Sequence, residues 1–230
     1  MKAALIGTGK TGGRVLNLLD PSEVSGAFND ENLPTKERLA AADVIIVFVP
    51  GDAVSSVFDM VLESGTPAVW GSTGFQWPDD LDNQLKTANT RWVIASNFSL
   101  GMNIVRHCIQ YLSKASALLN HPEFHIHEVH HTAKKDAPSG TALSWKKWLD
   151  KESPITSARE GDVKGIHELT LTTQNESIQL KHEALSRDVF AEGAIWTARY
   201  LTDHPEMDSG LYPFEMLIDQ TFEEVFNEFH

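Results

Sequence analysis

The sequence predicts an α/β fold: a Rossmann-like, doubly wound parallel sheet, plus an α+β domain whose sheet is mixed and largely antiparallel. Three observations carry this. Short apolar runs alternate with amphipathic ones over the first hundred residues. A glycine-rich turn, Gly7-Thr8-Gly9-Lys10-Thr11-Gly12-Gly13, follows the first of those runs. After Asn97 the texture changes to longer helical stretches and two runs of period-2 alternation.

Ala3-Ala4-Leu5-Ile6 reads as a buried strand, and a short helix runs to Leu19, stopped at Asp20-Pro21. Val24 to Phe28 suits a second strand and Pro34 to Ala42 a short helix. Val44-Ile45-Ile46-Val47-Phe48-Val49 is apolar on both faces, as a central parallel strand must be. Ala53 to Glu63 is helical, with Val54, Val57, Phe58, Val61 and Leu62 on one stripe. Pro67 to Trp70 and Trp92 to Ala95 complete the alternation.

Further on, Ile104 to Leu119 predicts one long helix, Glu123 to His130 a strand, and Ser139 to about Lys151 another helix. Ile166 to Thr173 and Ile178 to Glu183 alternate with period 2 around Gln174-Asn175-Glu176-Ser177, which predicts an antiparallel pair. A final helix is expected from about Val189 to Leu201, and Tyr212 to Ile218 is apolar enough to rejoin a core. Two domains follow: residues 1–98, completed by 190–230, for the dinucleotide, and 99–189 for substrate binding and oligomerisation.

Bulk properties narrow the function. The 230 residues carry a net charge of −13, so no excess of Lys and Arg is available to displace counterions, and nucleic acid is not expected as a partner. No apolar run approaches the roughly 18 residues a membrane span needs, so no membrane partner is expected. The N-terminus shows no leader pattern. Cys108 is the only cysteine, which fits a reducing compartment, and a cytoplasmic location is expected.

Two chemistries compete for the glycine turn. A phosphate loop for ATP places its first glycine five residues before Gly9, and that position is Ala4. The dinucleotide reading meets no such conflict. Gly7 turns the chain after the strand, Gly9 lets the backbone approach a pyrophosphate, and Gly12 or Gly13 allows close helix–strand packing. Asn29-Asp30-Glu31 lies roughly 20 residues downstream, where a ribose-binding carboxylate belongs. Asp30 or Glu31 suits a ribose hydroxyl and would repel a 2′-phosphate, so NADH is expected over NADPH. A plain tight turn is the rival reading of the glycines alone.

The densest chemistry lies from Glu128 to Ala142, EVHHTAKKDAPSGTA. A strand ends in His130-His131, the basic pair Lys134-Lys135 follows, and Pro138-Ser139-Gly140-Thr141 opens a helix. Ser139 or Thr141 can cap that helix. The N–H groups of Ser139, Gly140 and Thr141, with the Lys134 charge, form an anion pocket suited to a dicarboxylate. Polar strand-end surface and a plain helix cap are the bland alternatives. Zinc held by His125, His127, His130 and His131 is a further rival, but His130 has the opposite parity on the strand and no cysteine assists, so no metal is expected.

The stretch His130 to Ala142 resembles the HHxxKxDAPSGTA signature of the dihydrodipicolinate reductase family. Gly71-Ser72-Thr73-Gly74-Phe75 resembles its GTTGF loop, and Asn97 to Asn103 its NFSxGxN segment. Arg159 to His167 is similar to RxGDxxGxH, and Ser186-Arg187 with Phe190 to Ala194 to its SR…FAxGA run. The resemblance spans nearly the whole chain in order. It implies a reductase that passes hydride from NADH or NADPH to the ring of a small cyclic dicarboxylate in diaminopimelate and lysine biosynthesis, assembled as a homotetramer. It also implies roles: His130 supplies the proton, with Lys134 a second candidate donor. His131, Lys134, Ser139, Gly140 and Thr141 would hold carboxylates. Gly7, Gly9, Lys10, Thr11 and Gly12 would cradle the pyrophosphate, and Gly71, Thr73, Ser96, Asn97 and Phe98 would line the nicotinamide side. Arg187 also suits a carboxylate, bidentately, with a surface salt bridge as its alternative. Glu128 and His167 read as supporting polar groups.

Three features depart from the family pattern. The chain is short between Phe28 and Val44, Asn29-Asp30-Glu31 replaces an acidic-then-basic pair, and Val47-Phe48-Val49-Pro50 replaces the usual ending of the third strand. Two rivals remain: another nicotinamide-dependent dehydrogenase, which would need a different acid–base set, and a non-catalytic NAD(H) sensor, which would not need His130 or Lys134.

Overall fold

The structure, a computed structural model, describes residues 1–227, with side chains as far as Val225. The chain divides into two compact units, Met1–Ser99 with the segment from Asp188 onward, and Leu100–Arg187.

The first unit begins with β1 (Ala3–Ile6), α1 (Gly12–Leu18), β2 (Val24–Phe28), α2 (Lys36–Ala40), β3 (Val44–Val47), α3 (Val54–Ser64), β4 (Ala68–Trp70), α4 (Leu81–Thr87) and β5 (Arg91–Ile94). The second unit holds α5 (Leu100–Ala115), β6 (Glu123–His130), α6 (Gly140–Leu149), β7 (Ile155–Arg159), β8 (Ile166–Thr172) and β9 (Ser177–Glu183). The chain then returns to the first unit through α7 (Asp188–Asp203), β10 (Gly210–Pro213) and α8 (Phe214–Asn227).

In the first unit six strands pair in the order β10-β5-β4-β3-β1-β2, every pair parallel. All four side chains of β3 are wholly buried, which explains its unbroken Val-Ile-Ile-Val run. Trp70 of β4 and Trp92 of β5 pack 5.0 Å apart, centroid to centroid, in the same core as Ile45, Val57 and Leu85. Caps and turns set the helix ends. Thr35 Oγ1 accepts from Arg38 N at the start of α2, and Gly65 closes α3 in a left-handed conformation, φ 69°.

The chain crosses from one side of the sheet to the other at β1, which lies between β2 and β3. Such a switch point opens a crevice beyond the strand's carboxyl end, and the glycine turn emerges there. Gly7 has φ +91° and its amide donates to Phe28 O at 2.9 Å. A Cβ on Gly12 would lie 1.8 Å from the Gly7 carbonyl oxygen, so α1 can enter this close only on a bare glycine.

The second unit's sheet runs β7-β6-β8-β9, with β6–β7 parallel and the other two pairs antiparallel. Phe124, Ile126, Leu169 and Leu171 are buried in one core with Met102, Val105 and Ile109 of α5 and Ala142, Trp145 and Leu149 of α6. The indole N–H of Trp145 reaches Met102 Sδ at 3.1 Å.

Three elements differ from the sequence-based expectation. β7 was not foreseen: Ile155-Thr156-Ser157-Ala158-Arg159 has one strong apolar residue, and its place as an edge strand on β6 comes from pairing, not pattern. The helix expected from Ile104 begins at Leu100 and gives way at Ser116 to a single 3-10 turn. Tyr212 to Ile218 is split, its first two residues closing the sheet edge in β10 and the rest opening α8, so the helix after Val189 is not the last. Among the described residues no helix is long and apolar enough to cross a membrane.

Candidate active site

Strand periodicity sorts the histidines of β6. Ile126, Glu128 and His130 are buried, whereas His125 and His127 are part-exposed and both contact Thr156 Oγ1, at 3.1 and 2.8 Å. The zinc set weighed from sequence is therefore divided between two faces.

On the buried face the organising group is Glu128, which is wholly inaccessible. Its Oε2 accepts from His130 Nδ1. Its Oε1 accepts from Arg159 Nη2 at 2.9 Å and from the Ser139 backbone N–H at 3.3 Å. Arg159 also donates to the Asp136 carbonyl, which ties the loop after β6 to the end of β7. Further bonds pin the same loop: Glu160 N donates to His130 O at 2.8 Å and Thr132 N to Gly161 O at 3.3 Å.

His167 of β8 completes the cluster. Its Nε2 meets Ser139 Oγ at 3.2 Å, and its ring stands edge-on to His130, 5.0 Å between centroids. Ser139 Oγ also accepts from Ala142 N, capping α6. Gly165 backs onto the imidazole: a Cβ there would lie 3.1 Å from His130 Nε2, and its φ of +157° is one that side chains rarely adopt.

Electrostatics follow from these contacts. Burial pushes the Glu128 carboxyl up, but hydrogen bonds from Arg159, Ser157 and His130 outweigh it and hold it at about 2. Burial pulls His130 below the usual 6.5; Glu128 pushes it back up, and the charges of Lys134 and Arg159 add to the lowering. His167 is driven down to about 3, chiefly by burial, so it is neutral at working pH. Ligand atoms of Glu128, His130 and His167 lie within 4.8 Å of one another, a set whose types would suit zinc. Both carboxylate oxygens are already hydrogen-bonded, and a guanidinium stands on one of them. A cation is in place, and the cluster fits a proton-bearing network better than a metal.

The remaining sequence-predicted groups of this unit are placed as follows. Lys134 forms an ion pair with Asp136, Nζ to Oδ1 2.8 Å, with a quarter of its side chain exposed. His131 is half-buried on the same loop, and its carbonyl accepts from Lys134 N at 3.1 Å. The first-turn amides of Gly140 and Thr141 donate to no described group, as an anion pocket requires. Ser139 corrects the expectation in part: its N–H is bound to Glu128 and its hydroxyl to the cap and His167, so it braces the pocket instead of offering a donor to it. Arg187 is exposed at the end of the segment after β9.

In the first unit a cleft of about 610 Å³ lies along the carboxyl ends of β1 and β3. Gly7, Thr8 and Gly9 form one wall; Asn29, Asp30, Leu33 and Pro34 form another. Asn29 Oδ1 accepts from Glu31 N and Asn32 N, which fixes the turn that presents Asp30. The bare-glycine cradle and the cleft fit a dinucleotide. Lys10 is exposed, and Thr11 is half-buried ahead of the buried Gly12. Gly71 and Thr73 lie on the loop after β4, and the exposed Ser96 and half-buried Asn97 on the loop after β5. Phe98 needs a correction: its ring is buried 4.9 Å from Phe214 and 6.3 Å from Phe48, so only its backbone is available to line a site.

Sequence reasoning set Glu128 and His167 aside and gave Arg159 no role. The signal was present. Glu128 precedes His130 by two residues, the spacing that puts both on one strand face, and Arg159 and His167 bound one of the family-like stretches.

Several known proteins are similar to this chain. The family model "Dihydrodipicolinate reductase, C-terminus" matches residues 101–218. A 4-hydroxy-tetrahydrodipicolinate reductase of Rickettsia africae is 34% identical, over 90% of this chain and 94% of that protein. One from Thermosipho africanus is also 34% identical, over 78% of this chain and 80% of its own. Among solved structures, a dipicolinate-bound dihydrodipicolinate reductase from Paenisporosarcina sp. TG-14 shares the fold with a TM-score of 0.65 at 18% identity, covering 92% of this chain and 97% of that one. This chain belongs to the dihydrodipicolinate reductase family.

Proposed function

We propose that the protein reduces 4-hydroxy-tetrahydrodipicolinate, by way of its dehydrated form dihydrodipicolinate, to tetrahydrodipicolinate in the diaminopimelate–lysine route. The balance is substrate plus NAD(P)H plus one proton, giving product, NAD(P)⁺ and water. The observation that carries the reading is His130, a titratable group held by Glu128 through Nδ1 and beside the unpaired amides and lysine of an anion pocket.

The reduced nicotinamide supplies a hydride when bound. The chain supplies the rest. Lys134 and the amides of Gly140 and Thr141 bind carboxylates, with His131 and Arg187 as further polar partners. Their field also favours electron density arriving on the ring. His130 Nε2, which has no hydrogen-bond partner among the described residues, holds the proton that completes the reduction. Gly7, Gly9, Lys10, Thr11 and Gly12 receive the pyrophosphate, with Gly71, Thr73, Ser96, Asn97 and the Phe98 backbone toward the nicotinamide.

NADH is the favoured cofactor. The cleft walls include Asp30 and Asp52 and no Lys or Arg. Lys10 is taken by the pyrophosphate, and the two cations nearest Asp30 in sequence are engaged: Arg38 lies over the Phe28 ring at 4.4 Å and donates to Asn32, and Lys36 pairs with Glu63 at 3.4 Å. A 2′-phosphate would meet carboxylates without a counter-charge. Assembly as a homotetramer suits the second sheet, whose β9 is an edge strand with Ile178 exposed. A cytoplasmic place suits a single, unpaired cysteine.

The test is nicotinamide oxidation on freshly generated substrate with each cofactor. Substrate-dependent turnover is expected, with kcat/KM for NADH at least about tenfold above NADPH, the scale of one uncompensated charge contact. No turnover with either cofactor overturns the activity; a strong NADPH preference overturns only the cofactor reading.

A further inference from the structure

Glu128 is the most deeply buried charge at the site, and the chemistry above gives it no role beyond its contact with His130. A carboxylate removed from water needs a reason, because desolvation alone would make it costly. The donors that meet it include His130 Nδ1, Arg159 Nη2, the Ser139 amide and the Ser157 side chain.

These contacts divide the work between its two oxygens. Oε2 accepts from His130, while Oε1 accepts from Arg159 and from the Ser139 amide. Because an ionised carboxylate only accepts, the His130 nitrogen it meets must carry the hydrogen. The imidazole is then fixed in rotation and tautomer, with Nε2 left for the substrate. Arg159 keeps the carboxylate ionised, so it cannot take the proton from His130 for itself. Gly165 leaves room at Nε2 that a side chain would fill.

We infer that Glu128, locked by Arg159, is a positioning residue that sets the orientation and tautomer of His130. This rests on the reading of His130 as the proton-bearing group. The groups facing His130 are Glu128 from β6, Arg159 from β7, His167 from β8 and Lys134 from the following loop. Only Glu128 favours its protonated form, so loss of that charge must move its titration to lower pH.

The experiment is a double-mutant cycle of wild type, Glu128→Gln, His130→Gln and the double variant, with kcat, KM and pH profiles. Glu128→Gln is expected to lower kcat between about 10- and 1000-fold, the range found for groups that orient another catalytic group. KM for the substrate should stay within about threefold, and the alkaline limb of kcat/KM should move acidward. In the His130→Gln background the same change should cost less than about twofold in kcat, since on this inference Glu128 affects turnover through that histidine. Equal losses in both backgrounds, or wild-type kcat with an unmoved limb in Glu128→Gln, overturn the inference. If Glu128→Gln does not fold, ¹⁵N NMR of the wild-type ring decides: neutral His130 must be the Nδ1–H tautomer, and an Nε2–H tautomer overturns the inference. The functional reading fails separately, if His130→Gln alone retains full turnover.

Discussion

Replacing His130 with glutamine is expected to lower kcat by about 10²- to 10⁴-fold, the usual contribution of a positioned acid or base. Glutamine keeps a polar side chain of similar reach but cannot hold a titrating proton. Folding should survive: His130 is the last residue of β6, and its backbone carbonyl continues to accept from Glu160 N. The pH profile carries the sign. Burial lowers the His130 pKa below the usual 6.5, and in the proposed role the protonated form is the one that reacts. In the free enzyme kcat/KM should therefore fall with rising pH through a limb below 6.5, and His130→Gln should lose that limb. Glu128, at about 2, and His167, at about 3, stay ionised and neutral respectively across the range, so neither can mimic it. A variant with the limb intact would assign it to another group.

Lys134→Met is the second large effect. The methionine keeps an unbranched chain and removes the charge. In the structure Lys134 Nζ is paired with Asp136, whose side chain is more than half exposed. A substrate carboxylate can displace so weakly held a partner. Truncating one member of a desolvated charge pair costs about 2–5 kcal/mol, so kcat/KM should drop by roughly 30-fold or more. The loss should appear mainly in KM, with the His130 limb retained. If instead kcat collapses while KM holds, Lys134 and not His130 delivers the proton.

Most of the doubly wound half was legible in the sequence because its signals are local. β1 and β3 are continuous apolar runs, and the spacing of Gly7, Gly9 and Gly12 excludes a phosphate loop for ATP. What sequence could not supply depends on partners distant along the chain. β7 forms because β6 offers it an edge, and β10 because β5 does. Tyr212 to Ile218 has one hydropathy but serves two elements, since Pro213 ends a strand as readily as it precedes a helix. The site divided the same way. The motif from His130 to Thr141 is contiguous and visible, whereas the Glu128–Arg159 lock joins residues 31 apart and His167–Ser139 joins residues 28 apart. Ser139 shows the consequence: read as an anion donor, it faces inward as a brace.

The most direct measurement follows the hydride itself. With NADH deuterated at the transferable position and substrate generated in place, the tetrahydrodipicolinate formed should gain one mass unit, with one deuterium per NAD⁺ produced. Product carrying no deuterium from either C4-deuterated stereoisomer of NADH, or cofactor oxidation without ring reduction, would contradict the assignment of this chain as the reductase.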